Sequence, residues 1–278
     1  MSSQRPAQGE QPPRSTDVSR RRFLELLGAA GFTGAVATAI TGPLIKAKIA
    51  EASRGGGDNS HRWVMVIDLS KCIGCQYCVY ACQAVNDVAD EMRWNVYLLD
   101  KTETGQPFNM TRPCMHCQEP PCADVCPVGA TFQRGDGLVV MDYDRCIGCR
   151  YCMVACPYDV RRFNWVDRRT EGELNHYQPQ YGEPEVQRRP RGVVEKCTFC
   201  IQRIDRGLEH GLAPGVDRQA TPACVNICPV SARVFGDLND PESAVTKIIE
   251  STPTFRLREE LGTEPNVYYI PAEGMVPK

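Results

Sequence analysis

Sixteen cysteines in 278 residues, every one of them in a group of four with a recurring spacing, constrain this chain more than anything else in it. Cys146, Cys149, Cys152 and Cys156 read C-x2-C-x2-C-x3-C and run into Pro157. Cys72, Cys75, Cys78 and Cys82 repeat that spacing without the proline. Cys114, Cys117, Cys122 and Cys126 give C-x2-C-x4-C-x3-C-P, and Cys197, Cys200, Cys224 and Cys228 give C-x2-C-x23-C-x3-C-P. Three thiolates two residues apart can wrap three corners of a 4Fe-4S cube, while the fourth points away to ligate a second cluster. That fourth cysteine is expected to enter a brief helix, and Pro157 to turn the chain off the site.

Two other uses of cysteine fit poorly. Neighbours two residues apart are poorly placed to pair off into eight disulfides, given the Cα separations a bridge requires. Zinc ribbons employ two C-x2-C knuckles and have no use for a third cysteine two residues on. A non-redox metal scaffold remains the reading of a different class, separable by iron content and visible absorbance. Charged residues make up 24% and aromatics 8%, so the clusters, rather than an aromatic-rich core, are expected to carry the fold. A net charge of −2 makes no case for nucleic acid.

The first 18 residues are polar and proline-rich, and Ser19-Arg20-Arg21-Arg22-Phe23-Leu24 matches the twin-arginine export pattern. Leu26–Ile45 is uncharged but rich in Ala, Gly and Thr, which favours a signal peptide over residues 1–52, cleaved near Ala52, above a membrane anchor. Residues 53–61 read as a glycine-rich linker. Iron–sulfur clusters are assembled in the cytoplasm, so their carrier must cross the membrane folded, and the twin-arginine machinery exports folded cargo. The expected location is the periplasmic face of the cytoplasmic membrane, held there peripherally.

Asp68–Cys82 (DLSKCIGCQYCVYAC) and Asp142–Cys156 (DYDRCIGCRYCMVAC) are identical at 9 of 15 positions. Pro121–Ala130 and Ala223–Ala232 are likewise similar, giving the order A-B-A′-B′, a duplicated two-motif unit. Strands are predicted at Trp63–Asp68, Asn95–Leu99, Leu138–Met141 and Arg233–Phe235, with a tight turn at Gly135-Asp136-Gly137. A helix is predicted at Thr198–Leu208. The polar stretch Arg161–Arg191 reads as a long surface loop, and Ala244–Leu261 as an amphipathic tail.

Four quartets of these spacings in this order resemble the four-cluster, ferredoxin-type electron-transfer subunits of the molybdopterin oxidoreductase family. The likeness covers roughly Arg62–Leu238. It implies an α+β fold of two interlocked, pseudo-duplicated ferredoxin-like dicluster modules. The outer module takes residues 62–109 and 193–240 and the inner one 110–160, with a loop at 161–192 and a tail at 241–278. It further implies that outer quartets pair with each other, and inner with inner. Cys72, Cys75, Cys78 and Cys228 then hold one 4Fe-4S cluster, and Cys197, Cys200, Cys224 and Cys82 a second. Cys146, Cys149, Cys152 and Cys126 hold a third, and Cys114, Cys117, Cys122 and Cys156 a fourth. The crossing follows from the spacing; the outer–outer pairing does not, since the A-B-A′-B′ order suits pairing the first quartet with the second equally well. Nitrate reductase relatives lack one cysteine of the third quartet; Cys149 is present here, so four 4Fe-4S clusters are implied.

Such a chain passes electrons and has no catalytic residue of its own: no phosphate loop, flavin motif, triad or open metal site is visible. The implied partners are an integral, quinone-reactive membrane subunit and a molybdopterin oxidoreductase. The alternative is a multihaem cytochrome or another molybdenum-free, quinol-oxidising complex. Arg161–Arg191 and Ala244–Leu261 are the candidate contact surfaces. Lys71, Arg145 and Lys196 each precede the first cysteine of a quartet, where a cation raises a cluster's potential or simply sits in solvent. His116 reads as a surface loop residue, and Tyr77, Tyr151, Trp94 and Trp165 as packing around the cysteine loops.

Overall fold

The computed structural model describes residues 60–89, 91–166, 186 and 188–276. The expected export signal, nearly all of the linker and the middle of the 161–192 loop lie outside them. Trp63–Asp68 is an apolar run closed by one aspartate, the pattern of a strand covered on both faces. It forms β1, buried along its whole length. Thereafter come α1 (Tyr77–Val85), β2 (Val96–Lys101), β3 (Pro107–Arg112), α2 (Pro121–Asp124), β4 (Thr131–Gln133) and β5 (Val139–Met141). They are followed by α3 (Tyr151–Val154), β6 (Arg162–Phe163), β7 (Val194–Glu195), α4 (Ile201–Glu209), α5 (Ala223–Asn226), β8 (Arg233–Asp237), α6 (Ala244–Ser251) and β9 (Val267–Ile270). Short strands and short helices of this kind make an α+β fold.

Alternate residues of β1 serve two layers. Trp63, Met65 and Ile67 enter the main core with Trp94, Phe199, Phe235 and Tyr269, and Val64 and Val66 meet Val245 of α6. These buried rings correct the expectation that aromatics would contribute little: they are few but concentrated in one core. β1 pairs antiparallel with β8 and parallel with β9. The stretch after residue 240 is therefore no loose tail. It supplies α6 to one face of the sheet and β9 to its edge.

The two antiparallel pairs decide which cysteines meet. Ile67 lies opposite Arg233. Cys72 follows Ile67 by five residues and Cys228 precedes Arg233 by five, so the end of the ladder delivers both to one place. In the β4–β5 hairpin Thr131 lies opposite Met141, and Cys126 and Cys146 are again each five residues away. The hairpin closes at the expected turn, with Arg134 N–H donating to Leu138 O at 2.8 Å and Gly137 N–H to Arg134 O at 3.0 Å.

The cysteine helices start earlier than expected. They take in the third cysteine of each quartet, and α2, α3 and α5 stop before the fourth. Cys126, Cys156 and Cys228 each precede a proline, which disfavours the helical conformation in the residue before it. Cys82 precedes Gln83 instead, and α1 runs on through it. The expected surface loop is pinned at both ends: β6 pairs with β7, and Arg161, Asn164 and Arg189 are buried.

Candidate metal centres

The duplicated loops are built by the same local device. Asp68 Oδ1 accepts from the N–H groups of Ser70 (3.0 Å) and Lys71 (3.3 Å). Asp142 Oδ1 accepts from those of Asp144 (3.0 Å) and Arg145 (3.1 Å), an Asx turn that aims the chain into the first cysteine. Gly148 must be glycine: its φ is +69°, and a Cβ would stand 2.2 Å from the Gly192 carbonyl oxygen. Gln76 and Arg150 take left-handed conformations and swing the chain from loop into helix before Cys78 and Cys152.

These loops gather the cysteines into four places. One cavity is lined by Cys72, Cys75, Cys78 and Cys228, with Ile67, Thr111 and Arg233 behind them. A second is lined by Cys126, Cys146, Cys149 and Cys152. A third is lined by Cys114, Cys117, Cys122 and Cys156, with Tyr158 and Arg161. Cys82 lies near Cys197, Cys200 and Cys224, whose ionisation would oppose its own, and Asn86 Nδ2 reaches the sulfurs of Cys82 at 3.6 Å and Cys200 at 3.4 Å. Neighbouring groups adjoin: Cys78 senses Cys224, Cys197 senses Cys114, and Cys152 senses Cys122. The Cys72, Cys197, Cys114 and Cys146 groups thus follow one another in that order.

Each group offers only sulfur, the donor set that iron–sulfur clusters use. A single zinc ion, bound at about 2.3 Å, would draw its sulfurs to within about 3.8 Å of one another. Among the described residues no set of three or more Cys, His, Asp or Glu side chains converges on a single-ion site. Thiols set around a cavity suit a many-metal cube instead. Burial pushes the Cys82, Cys197 and Cys224 thiols up, so these groups resist ionising by themselves; coordination is what deprotonates such a thiol outright. Backbone N–H groups already point at the fourth cysteines of two quartets, from Thr131 to Cys126 Sγ (3.4 Å) and from Ala232 to Cys228 Sγ (3.3 Å).

The three cations that precede the quartets differ. Lys71 and Arg145 are exposed and paired with Asp68 and Asp142 at 3.1 Å each. Lys196 is fully buried and donates to the carbonyls of Val139 and, at 2.9 Å, Cys197. His116, expected at the surface, is equally buried beside it. Its Nδ1 accepts from Val139 N–H at 3.0 Å, so Nε2 carries the proton and donates to the Cys197 carbonyl at 3.1 Å. Burial and the nearby Lys196 hold His116 neutral, well below the usual histidine range. Ring stacking on Phe199, with centroids 4.0 Å apart, completes the join between the Cys114 and Cys197 groups. Of the aromatic residues read as packing, Trp94 is buried, but Tyr77, Tyr151 and Trp165 are more than half exposed.

The cysteines were legible from spacing, but two buried arginines were not. Burial works against the charge of Arg161, yet the thiols of Cys122, Cys152 and Cys114 outweigh it and hold its pKa above normal. Arg233 is held likewise against burial by Cys224 and Cys78. No sequence pattern marks either one beyond its place five residues after the last cysteine of a quartet, in a Cys-Pro pair.

Residues 106–172 and 145–232 match two families that are both described as 4Fe-4S dicluster domains, and residues 63–84 match a 4Fe-4S binding domain. The menaquinone reductase iron–sulfur cluster-binding subunit of Nitratidesulfovibrio vulgaris is 42% identical over 75% of this chain and 88% of its own length. The Hdr-like menaquinol oxidoreductase iron–sulfur subunit 1 of Archaeoglobus fulgidus is 39% identical over 92% of this chain and 99% of its own. The arsenate respiratory reductase iron–sulfur subunit of a Shewanella species is 37% identical over 76% of this chain and 97% of its own.

Proposed function

We propose that this chain, which belongs to the ferredoxin-type iron–sulfur subunits homologous to those of molybdopterin respiratory oxidoreductases, relays single electrons through four 4Fe-4S clusters. They pass between a molybdopterin-type partner oxidoreductase and a quinone-reactive integral membrane subunit. The observation that carries the reading is the succession of four all-cysteine groups, each adjoining the next. The clusters supply one-electron capacity when bound. Cys72, Cys75, Cys78 and Cys228 hold the first, and Cys82, Cys197, Cys200 and Cys224 the second. Cys114, Cys117, Cys122 and Cys156 hold the third in space, and Cys126, Cys146, Cys149 and Cys152 the last. The chain's own residues fix these positions, donate N–H groups to the ligand sulfurs and keep water from the middle of the row.

The two end groups face the surface. Ile73, Tyr77 and Tyr80 are exposed around one, and Ile147, Tyr151 and Val154 around the other. Apolar side chains at both ends of a wire suit partners at both ends. Two relatives named for menaquinone or menaquinol support a quinone-linked membrane partner, with or without molybdenum in the complex. Among the described residues no helix is long and apolar enough to cross a membrane, so the quinone site is assigned to the partner. The twin-arginine pattern at Ser19–Leu24 supports a location at the periplasmic face for the assembled subunit.

Anaerobic purification should yield a brown protein with about 16 iron and 16 sulfide per chain. Stoichiometric zinc without broad visible absorbance would sink the reading. Changing Arg20 and Arg21 to Lys should strand folded, cluster-loaded protein in the cytoplasm; continued export with clusters intact would refute the route.

A further inference from the structure

Arg161 and Arg233 occupy matching positions in the two halves of the molecule. Each follows its Cys-Pro pair, Cys156-Pro157 or Cys228-Pro229, at the same distance. Each is buried in a neutral cage that includes one threonine and one methionine. Arg161 Nη1 donates to Thr131 Oγ1 at 3.2 Å and approaches Met141 Sδ at 3.3 Å. Arg233 donates from Nη2 to Thr111 Oγ1 at 2.5 Å and to Asn95 Oδ1 at 3.2 Å, and its Nη1 approaches Met65 Sδ at 3.4 Å. Among the described residues, neither guanidinium pairs with a carboxylate.

A buried charge is kept only where something of opposite charge answers it. Foremost among the nearby groups able to carry negative charge are cysteines, drawn from both sides of a junction; Tyr269 also stands near Arg233 and Tyr143 near Arg161. Arg161 stands among Cys122, Cys152 and Cys114, and its Nη2 is buried with no hydrogen-bond partner. Arg233 stands among Cys224, Cys78 and Cys197, with Nη1 at 3.4 Å from Cys224 Sγ. Arg161 therefore lies between the Cys114 and Cys146 groups, and Arg233 between the Cys72 and Cys197 groups.

We infer that Arg161 and Arg233 are the counter-ions of the inner and outer cluster pairs, each favouring the reduced state of the two clusters it stands between. The inference rests on the reading that the sixteen cysteines hold clusters. One electron arriving in a pair adds one negative charge, and a fixed guanidinium in a low-dielectric site answers it without moving. Arginine suits this task because it stays protonated at any working pH. Lys71 and Arg145 cannot serve in the same way, since each is solvated and already spent on an aspartate.

The test uses the full, cluster-loaded chain, with redox titration followed by low-temperature EPR and with iron content measured in parallel. Arg161→Gln should make the inner pair at least about tenfold harder to reduce, a fall of about 59 mV for a one-electron couple, and leave the outer pair unchanged. Arg233→Gln should do the reverse. Arg161→Lys and Arg233→Lys, which keep the charge, should stay near the parent. Unchanged potentials in the Gln variants, or equal shifts in the Gln and Lys variants, would overturn the inference. A Gln variant that loses iron from its own half while the Lys variant keeps it supports the same role for charge; loss in both overturns it. A parent chain without cluster signals overturns this inference and the proposed function together, whereas a loaded parent with insensitive potentials overturns this inference alone.

Discussion

In the outer half the Cys72 loop leaves a six-residue strand, buried throughout and paired along both edges. In the inner half the similar Cys146 loop leaves a three-residue strand paired, among the described residues, only within its hairpin. The aspartate turn, the left-handed residue and the helix start are the same in both. The surroundings are not: Cys75 is half-buried and its counterpart Cys149 is exposed. A repeated sequence thus reproduces a loop, while solvent access is set by what the other elements stack against it. Since cluster potential depends on burial and on hydrogen bonds to sulfur, two copies of one motif can be poised differently.

The largest test of this contrast is in the strands. Met65→Ala empties part of the main core behind the Cys72 loop and should cost about 2–5 kcal/mol. Val139→Ala, in the small core of the inner hairpin, removes two carbons and should cost about 1.6 kcal/mol. Amide exchange should accelerate across β1 and β8 in the first variant and only in β4 and β5 in the second. Equal losses in the two would erase the distinction.

A smaller effect separates the two loop glycines. Both Gly74 and Gly148 have positive φ, so alanine at either carries a left-handed penalty of about 1–2 kcal/mol. At Gly148 the new Cβ also meets a backbone oxygen, from Gly192, at 2.2 Å; at Gly74 it meets the Asn109 side chain at 2.4 Å, which can turn aside. Gly148→Ala should therefore bleach faster in air than Gly74→Ala. The opposite order would mean that Asn109, which also holds Tyr97 Oη at 2.7 Å and the Cys72 carbonyl at 3.2 Å, is the more rigid wall.

The smallest difference concerns the aspartates. Asp68 also accepts from Ser70 Oγ at 2.6 Å. Burial alone would raise its carboxyl pKa, but Ser70 and Lys71 outweigh it and hold the pKa below normal. Asp142 has the two backbone bonds and an exposed arginine. Asp68→Ala should lower the thermal midpoint more than Asp142→Ala, by the worth of about one further hydrogen bond, roughly 1 kcal/mol. Indistinguishable midpoints would show that the two turns are energetically alike despite their different burial.

The cysteine quartets, the duplication, the β1 strand and the hairpin turn were all readable in the sequence. Each is a local pattern, in which spacing, alternation or turn chemistry acts over a few residues. All four helices start before the fourth cysteine, and the prolines after Cys126, Cys156 and Cys228 act backwards on the cysteine before them, so that three of the helices also stop short of it. Which quartets share a space was not readable. The order A-B-A′-B′ allows two pairings, and only the ladder of Ile67 against Arg233 brings Cys72 to Cys228 across more than 150 residues of chain. The same holds for Lys196, His116, Arg161 and Arg233. In sequence they look like ordinary polar residues near cysteines, and it is packing from distant segments that removes them from water. Short-range chemistry set what each loop could bind; long-range strand pairing decided which loops face each other and which charges are enclosed between them.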